Sequence, residues 1–224
     1  MKKEKIMKRH FEKELQRIRE NLLKMGALVE QAIANAIKSL VERDSQLAKE
    51  TIQSDDKIDS LEVELEDMSI RLLALMQPMA GDLRFIVKTT KIVTDLERMG
   101  DLAVNICQRA LELNEEPPLK PYIDLPRMAQ KAQLMLKEAL DAFVEADAEL
   151  ALKVCASDQL IDDLNNQIFR ELLTFMMEDP KTITRAIRIS FISKHIERIA
   201  DHATNIAEDV IYMVKAKDIR HGAY

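Results

Sequence analysis

Two stretches decide the reading of this chain: Val41–Leu61, VERDSQLAKETIQSDDKIDSL, and Val144–Leu164, VEADAELALKVCASDQLIDDL. At an offset of 103 residues, Val41, Glu42, Asp44, Leu47 and Ala48 meet Val144, Glu145, Asp147, Leu150 and Ala151. Ser54, Asp55, Ile58, Asp59 and Leu61 then meet Ser157, Asp158, Ile161, Asp162 and Leu164. Identity sustained in one register is the signature of an internal repeat. Farther on the offset becomes 100, and Leu96–Ile106, LERMGDLAVNI, falls on Ile196–Ile206, IERIADHATNI. Three residues are lost around the intervening turn.

Helical periodicity runs through both halves and is broken most strongly at 77–82 (QPMAGD), 115–126 (EEPPLKPYIDLP) and 178–181 (EDPK). The prolines of the middle breaker remove backbone donors and fix φ, so no helix continues through it. Each half therefore reads as three helices, at roughly 8–42, 45–76 and 82–113 and again at 125–145, 148–178 and 181–215. Asp44 and Asp147 are placed to cap the second helix of each set. Long helices joined by short turns pack antiparallel. The expectation is an all-α protein of two tandem three-helix bundles: residues 1–116, a Pro-rich linker at 117–126, and residues 127–224. The composition agrees, with 4 Gly, 6 Pro and 4% aromatic against 47% hydrophobic and 32% charged residues.

The same composition excludes several function classes. A net charge of -6 is the wrong sign for a chain whose main ligand is a nucleic-acid backbone. The basic N-terminal stretch has no apolar segment behind it, so it is not read as a secretory signal, and no run approaches the length of a membrane span. Cys107 and Cys155 are lone thiols without a CxxC pattern, as expected in a reducing cytosol. The 12 Met residues and the Leu/Ile stripes are read as core.

Acidic pairs four apart are common on solvated helix faces and mean little alone. In a helical hairpin, however, residues equidistant from the turn lie level, because both helices rise equally per residue. Asp55 with Asp101 and Asp59 with Glu97 share the midpoint 78, inside the first predicted turn. Asp158 with Asp201 and Asp162 with Glu197 share the midpoint 179.5, inside the second. Four converging carboxylates repel unless a cation or shared protons compensate, and an all-oxygen set favours a hard ion such as Mg, Mn, Ca or Fe. The bland alternative is that the repeated Arg98 and Arg198 neutralise surface acids in ordinary ion pairs. The four histidines are scattered and read as solvated or packed. Only His202, beside Asp201, could approach a quartet.

These motifs resemble the PhoU family. The resemblance rests on Gln77-Pro78 with Asp82-Leu83-Arg84, on the repeated Leu96–Ile106 and Ile196–Ile206 runs, on Phe175–Ile183, and on the tail Val214–His221. The family's E(D)xxxD metal motifs map onto Asp55 with Asp59, Glu97 with Asp101, Asp158 with Asp162, and Glu197 with Asp201. The resemblance implies a cytoplasmic, non-enzymatic regulator, peripheral at the inner membrane through its partners. It would be often dimeric and bind multinuclear iron or another divalent metal such as Mn or Mg. It further implies contacts with the ATPase subunit of a phosphate ABC transporter and with a sensor histidine kinase, as a negative regulator of phosphate uptake and of the starvation response. His195 stands where the first repeat has Asp95, and His202 where it has Leu102, so the two metal sites are expected to differ.

Two rival functions are weighed. Ferritin-like iron oxidases or stores need two ExxH motifs on four helices, and no histidine here has Glu three residues before it. Walker A, GxSxG and HExxH motifs are also missing, so no nucleophile or nucleotide site presents itself. A purely structural helical adaptor is the other rival, and metal content separates it from the first reading.

Overall fold

The computed structural model describes residues 2–76 and 78–217, with side chains from residue 10 onward. Gln77 and the tail residues Asp218-Ile219-Arg220-His221 lie outside the described residues. The described residues form helices α1 (Lys2–Val41), α2 (Ser45–Ser54), α3 (Asp56–Met76), α4 (Ala80–Asn114), α5 (Asp124–Glu145), α6 (Ala148–Glu178) and α7 (Ile183–Lys215). One 3-10 turn, Pro180–Thr182, precedes α7, and there is no strand among the described residues. The all-α expectation and the repeat both stand.

The junctions are built as the sequence suggested. The Asp44 carboxylate accepts from the N–H groups of Gln46 and Leu47, and Asp147 accepts from Glu149 and Leu150, so each covers orphan donors at a helix start. Just before each cap stands a non-glycine residue in the left-handed region, Arg43 at φ 57 and Ala146 at φ 53. Arg43 also reaches across to the end of α4, donating to the carbonyls of Asn114 at 2.6 Å and Glu116 at 2.7 Å.

The expected helix over 45–76 is interrupted at Asp55. Around that residue the ladder tightens: Asp55 N–H points to Ile52 O, and Ile58 N–H to Asp55 O. The Thr51 and Ser54 hydroxyls donate back to the carbonyls of Leu47 and Thr51, a competition with the ladder that bends helices. The equivalent of Thr51 in the second half is Val154, and α6 runs on unbroken.

Helices α3, α4, α7 and α6 lie side by side in that order, with α1 and α5 packed on one face of the row. Because α4 packs along α7, and α1 along α5, the two repeats share one continuous apolar core. The crossing of α1 and α5 is close: a Cβ on Gly26 would displace the end of the Leu140 side chain. Phe85 of the first half stacks on Phe143 of the second at 5.0 Å. The Pro-rich segment between α4 and α5 is pinned from both sides, by Arg43 on the Glu116 carbonyl and by Arg185 on the Pro117 carbonyl.

Candidate metal centres on the two hairpins

The row of four helices leaves two long hairpins, α3–α4 and α6–α7, and each carries one predicted quartet. In the first, Asp55 stands at the α2–α3 break and Asp59 one turn on, while Glu97 and Asp101 come from the middle of α4. Burial pushes the Asp55 carboxyl up to about 6, reinforced by the charges of Asp59, Asp101 and Asp56. Glu97 is raised by burial and by Asp101, with smaller contributions from Glu62 and Asp59, against the opposing charge of Arg98. Asp59 and Asp101 thus act on both Asp55 and Glu97. The helices approach closely at its floor: a Cβ on Gly100 would meet Asp55 Oδ1 at 3.0 Å.

The second quartet repeats the arrangement on α6 and α7. Burial raises the Asp158 carboxyl to about 6, with Asp201, Asp162 and Glu197 adding to it and the Thr204 hydroxyl opposing. Asp201 is raised by burial and Glu197, with Lys194 and His202 pulling the other way. The level pairing is visible directly next to the acids, where Ser193 on α7 donates to Asn165 on α6 at 2.8 Å.

The neutralising residues differ between the sites. Arg98 meets Glu97 Oε2 at 3.3 Å and Asp101 Oδ2 at 3.2 Å, the ion pairing that the bland reading anticipates. Arg198 makes no ion pair with the second quartet among the described residues. There Lys194 donates to Glu197 Oε1 at 2.6 Å. Glu97 Oε2 and Glu197 Oε2 are buried without a well-formed hydrogen bond, and each faces a single cation, Arg98 at 3.3 Å and Lys194 at 2.5 Å. Buried carboxylate oxygens with spare lone pairs, in an all-oxygen set, fit a hard cation. Among the described residues, no three Asp, Glu, His or Cys side chains are arranged as a ready-made ion cage.

Sequence reasoning missed the seam between α4 and α7. His202 turns away from the second quartet to Asp95 of the first repeat, with Nδ1 at 2.8 Å from Oδ1. Lys88 and Asp209 form a buried ion pair, and the Lys88 ammonium also lies 4.5 Å over the Tyr212 ring. Arg84 donates to the Met213 carbonyl at 3.1 Å and so covers the end of α7. The residue numbers of each of these three pairs sum to 297, so level pairing holds across the seam too. Applying it there requires knowing that α4 and α7 are neighbours. A polar cavity of about 380 Å³ opens along the seam, lined by Lys91, Thr94, Asp95, Asn205, Glu208 and Asp209. Burial pushes the thiols up, Cys107 to about 12 and Cys155 to about 11, so neither carries thiolate chemistry.

The model of the PhoU domain matches residues 22–110 and again 125–210, one match per repeat. The chain belongs to the PhoU family. A phosphate-specific transport system accessory protein PhoU homolog of Aquifex aeolicus is 47% identical over 93% of this chain and 95% of its own length. PhoU from Pseudomonas aeruginosa, known as a crystal structure, superposes with a TM-score of 0.89 at 42% identity, over 92% of this chain and all of that one. The phosphate transport system regulatory protein PhoU from Streptococcus pneumoniae superposes with a TM-score of 0.86 at 30% identity, over 93% of this chain and 98% of that one. The fold, the twofold repeat and the family resemblance of the motifs thus agree. No described helix is long and apolar enough to cross a membrane.

Proposed function

We propose that this chain is a non-enzymatic, cytoplasmic regulator of phosphate uptake that binds divalent metal, iron foremost, at both carboxylate quartets. In this reading it restrains the phosphate-starvation response by contacts with the ATPase subunit of the phosphate transporter and with its sensor histidine kinase. The Aquifex and Streptococcus relatives, both named for a phosphate transport system, support the transport-system role. The observation that supports the metal reading is the duplication: two hairpins each hold acids that raise one another's carboxyls, around a buried glutamate oxygen faced by only one basic side chain.

Asp55, Asp59, Glu97 and Asp101 would hold one ion or cluster, and Asp158, Asp162, Glu197 and Asp201 the other. The bound cation would supply the positive charge that lets all four carboxylates ionise together. The chain's own part is to present acids from two helices, so that their spacing and the hairpin's shape are linked. A protein without catalytic groups acts in a signalling circuit by preferring one state of a partner and shifting its equilibrium.

The test deletes the gene and follows phosphate-responsive transcription in phosphate-replete cells, alongside retention of the two partners by the purified protein. Derepression that the wild-type gene reverses, with at least one partner retained, is the expected result. Full repression without the gene, and no retention of either partner, would refute the regulatory reading.

A further inference from the structure

The two hairpins offer their acids on different backbones. Asp158 lies within α6, which runs unbroken from Ala148 to Glu178, so its peptide is held in a regular ladder. Asp55 has no such frame, because it stands between the end of α2 and the start of α3. Its N–H points to Ile52 O at 3.3 Å. The Ile58 N–H, which a regular helix would aim at Ser54 O, goes instead to Asp55 O at 2.7 Å. A small change of angle between α2 and α3 therefore moves the Asp55 carboxylate, while Asp158 moves only with its whole helix.

Two residues distinguish the backbones. Thr51 donates its hydroxyl to Leu47 O at 2.8 Å, and Val154 stands in its place in α6. Ser54 is not the difference, because its counterpart Ser157 also bonds back, to Lys153 O, without breaking the helix. Gly100 faces the break from α4, where a Cβ would meet Asp55 Oδ1 at 3.0 Å and Ile58 Cδ1 at 3.1 Å. Ala200 carries that Cβ in the second repeat. Two further acids stand beside the first quartet, Asp56 acting on Asp55 and Glu62 acting on Glu97. Their counterparts are the uncharged Gln159 and Asn165.

Cations differ in what they demand of such frames. Calcium takes roughly six to eight oxygens at about 2.3–2.6 Å in adaptable geometry, whereas magnesium holds a near-ideal octahedron at about 2.0–2.1 Å. Carboxylates fixed on two continuous helices keep one spacing and so select by size. A carboxylate at a break, with extra acids beside it, can withdraw to admit a larger ion. We propose that the site on the α3–α4 hairpin accepts calcium as well as smaller divalent cations, that the site on the α6–α7 hairpin discriminates against calcium, and that Thr51 and Gly100 set this difference by positioning Asp55. The proposal deepens the metal reading and rests on it: iron and manganese would enter both sites, and calcium the first alone.

The test follows Mn bound to the full chain by electron paramagnetic resonance while calcium is titrated in. Glu197→Ala/Asp201→Ala leaves the first site alone to report, and Glu97→Ala/Asp101→Ala leaves the second. The ratio of calcium to Mn affinity should be at least about tenfold higher at the first site. In the matching single-site backgrounds, Thr51→Val/Gly100→Ala should bring the first ratio down toward the second, and Val154→Thr/Ala200→Gly should raise the second. Each pair installs residues that the other repeat already carries, and circular dichroism should show unchanged helix content. Equal ratios at the two sites would overturn the proposal. So would a first-site ratio that Thr51→Val/Gly100→Ala leaves unmoved, because the number of acids alone would then set it. Mn that binds at neither site would overturn the metal reading, and the proposal with it.

Discussion

The two repeats carry the same four acids on the same pair of helices, yet the surroundings of those acids differ in three ways. The first site has a fifth carboxylate, Glu62, raised by burial and by Glu66, Asp59 and Asp101. Its counterpart is Asn165, already committed to Ser193. The first site closes over a glycine, Gly100, where the second has the buried Ala200. Finally, the first is bridged by Arg98 across Glu97 and Asp101, while the second is held by Lys194 at Glu197. Duplication preserved the four acids, and divergence acted on what surrounds them. The first site should therefore hold a cation more tightly, with one more acid in reach.

The seam diverges in the same manner. Lys88 and Asp209 pair in the core with side chains 7% and 8% exposed. At the related end stand Arg188 and Arg109, 25% and 33% exposed, both paired with Glu112 of α4 and the former also with Glu116 just beyond it. Breaking these should show the largest contrast. Asp209→Ala leaves an ammonium buried without its partner and should cost about 3–5 kcal/mol. Arg188→Ala removes a partly solvated pairing and should cost about 1 kcal/mol. Urea unfolding of both variants measures the difference, and equal losses would contradict the assigned asymmetry.

Glu62→Asn makes the first site resemble the second. It should lower Mn affinity there about tenfold, or about 1.4 kcal/mol, leaving the second site unchanged, by calorimetric titration. An effect on both sites would mean that they are coupled through the shared core.

The pH response follows from the raised carboxyls. Asp55 and Asp158 titrate near 6 in the folded chain and near 3.8 when unfolded, so the folded form binds more protons between those values. Metal-free protein is then most favoured below that window and loses stability as pH rises through about 6. Its melting temperature should fall by a few degrees between pH 5 and 7.5. Asp55→Asn and Asp158→Asn should each remove about half of the slope, and a divalent cation should reverse it at pH 7.5.

The smallest expected effect is that of Gly100→Ala. Helix propensity gains up to about 1 kcal/mol from the change, while the new Cβ crowds Asp55 and Ile58, so global stability should move little. Cation affinity at the first site should move more, because Asp55 must shift by a few tenths of an ångström. A melting temperature that changes while affinity does not would break the account of why glycine stands in one repeat and alanine in the other.

Much of this was legible in the chain alone. The caps at Asp44 and Asp147 announced themselves, since a carboxylate at a helix start has one dominant use. Counting residues from each turn also placed Asn165 opposite Ser193, one position from the register it assigns to the acids. The break at Asp55 did not announce itself, because no Gly or Pro marks it and the hydroxyls of Thr51 and Ser54 act only once the helix is formed. Nor did the Asp95–His202 and Lys88–Asp209 pairs, 107 and 121 residues apart, which depend on which helices become neighbours. The exchange of roles between Arg198 and Lys194 was hidden too, because both lie within a turn of Glu197 and only side-chain direction separates them.

The account rests on two cation sites of one donor set and unequal strength. Elemental analysis with Mn titration of the wild type, of Glu97→Ala/Asp101→Ala and of Glu197→Ala/Asp201→Ala tests it most directly. Two sites in the wild type are expected, the tighter lost in the first variant and the weaker in the second. Wild-type protein that takes up no Fe, Mn or Mg at either hairpin, or uptake that neither variant changes, would contradict it.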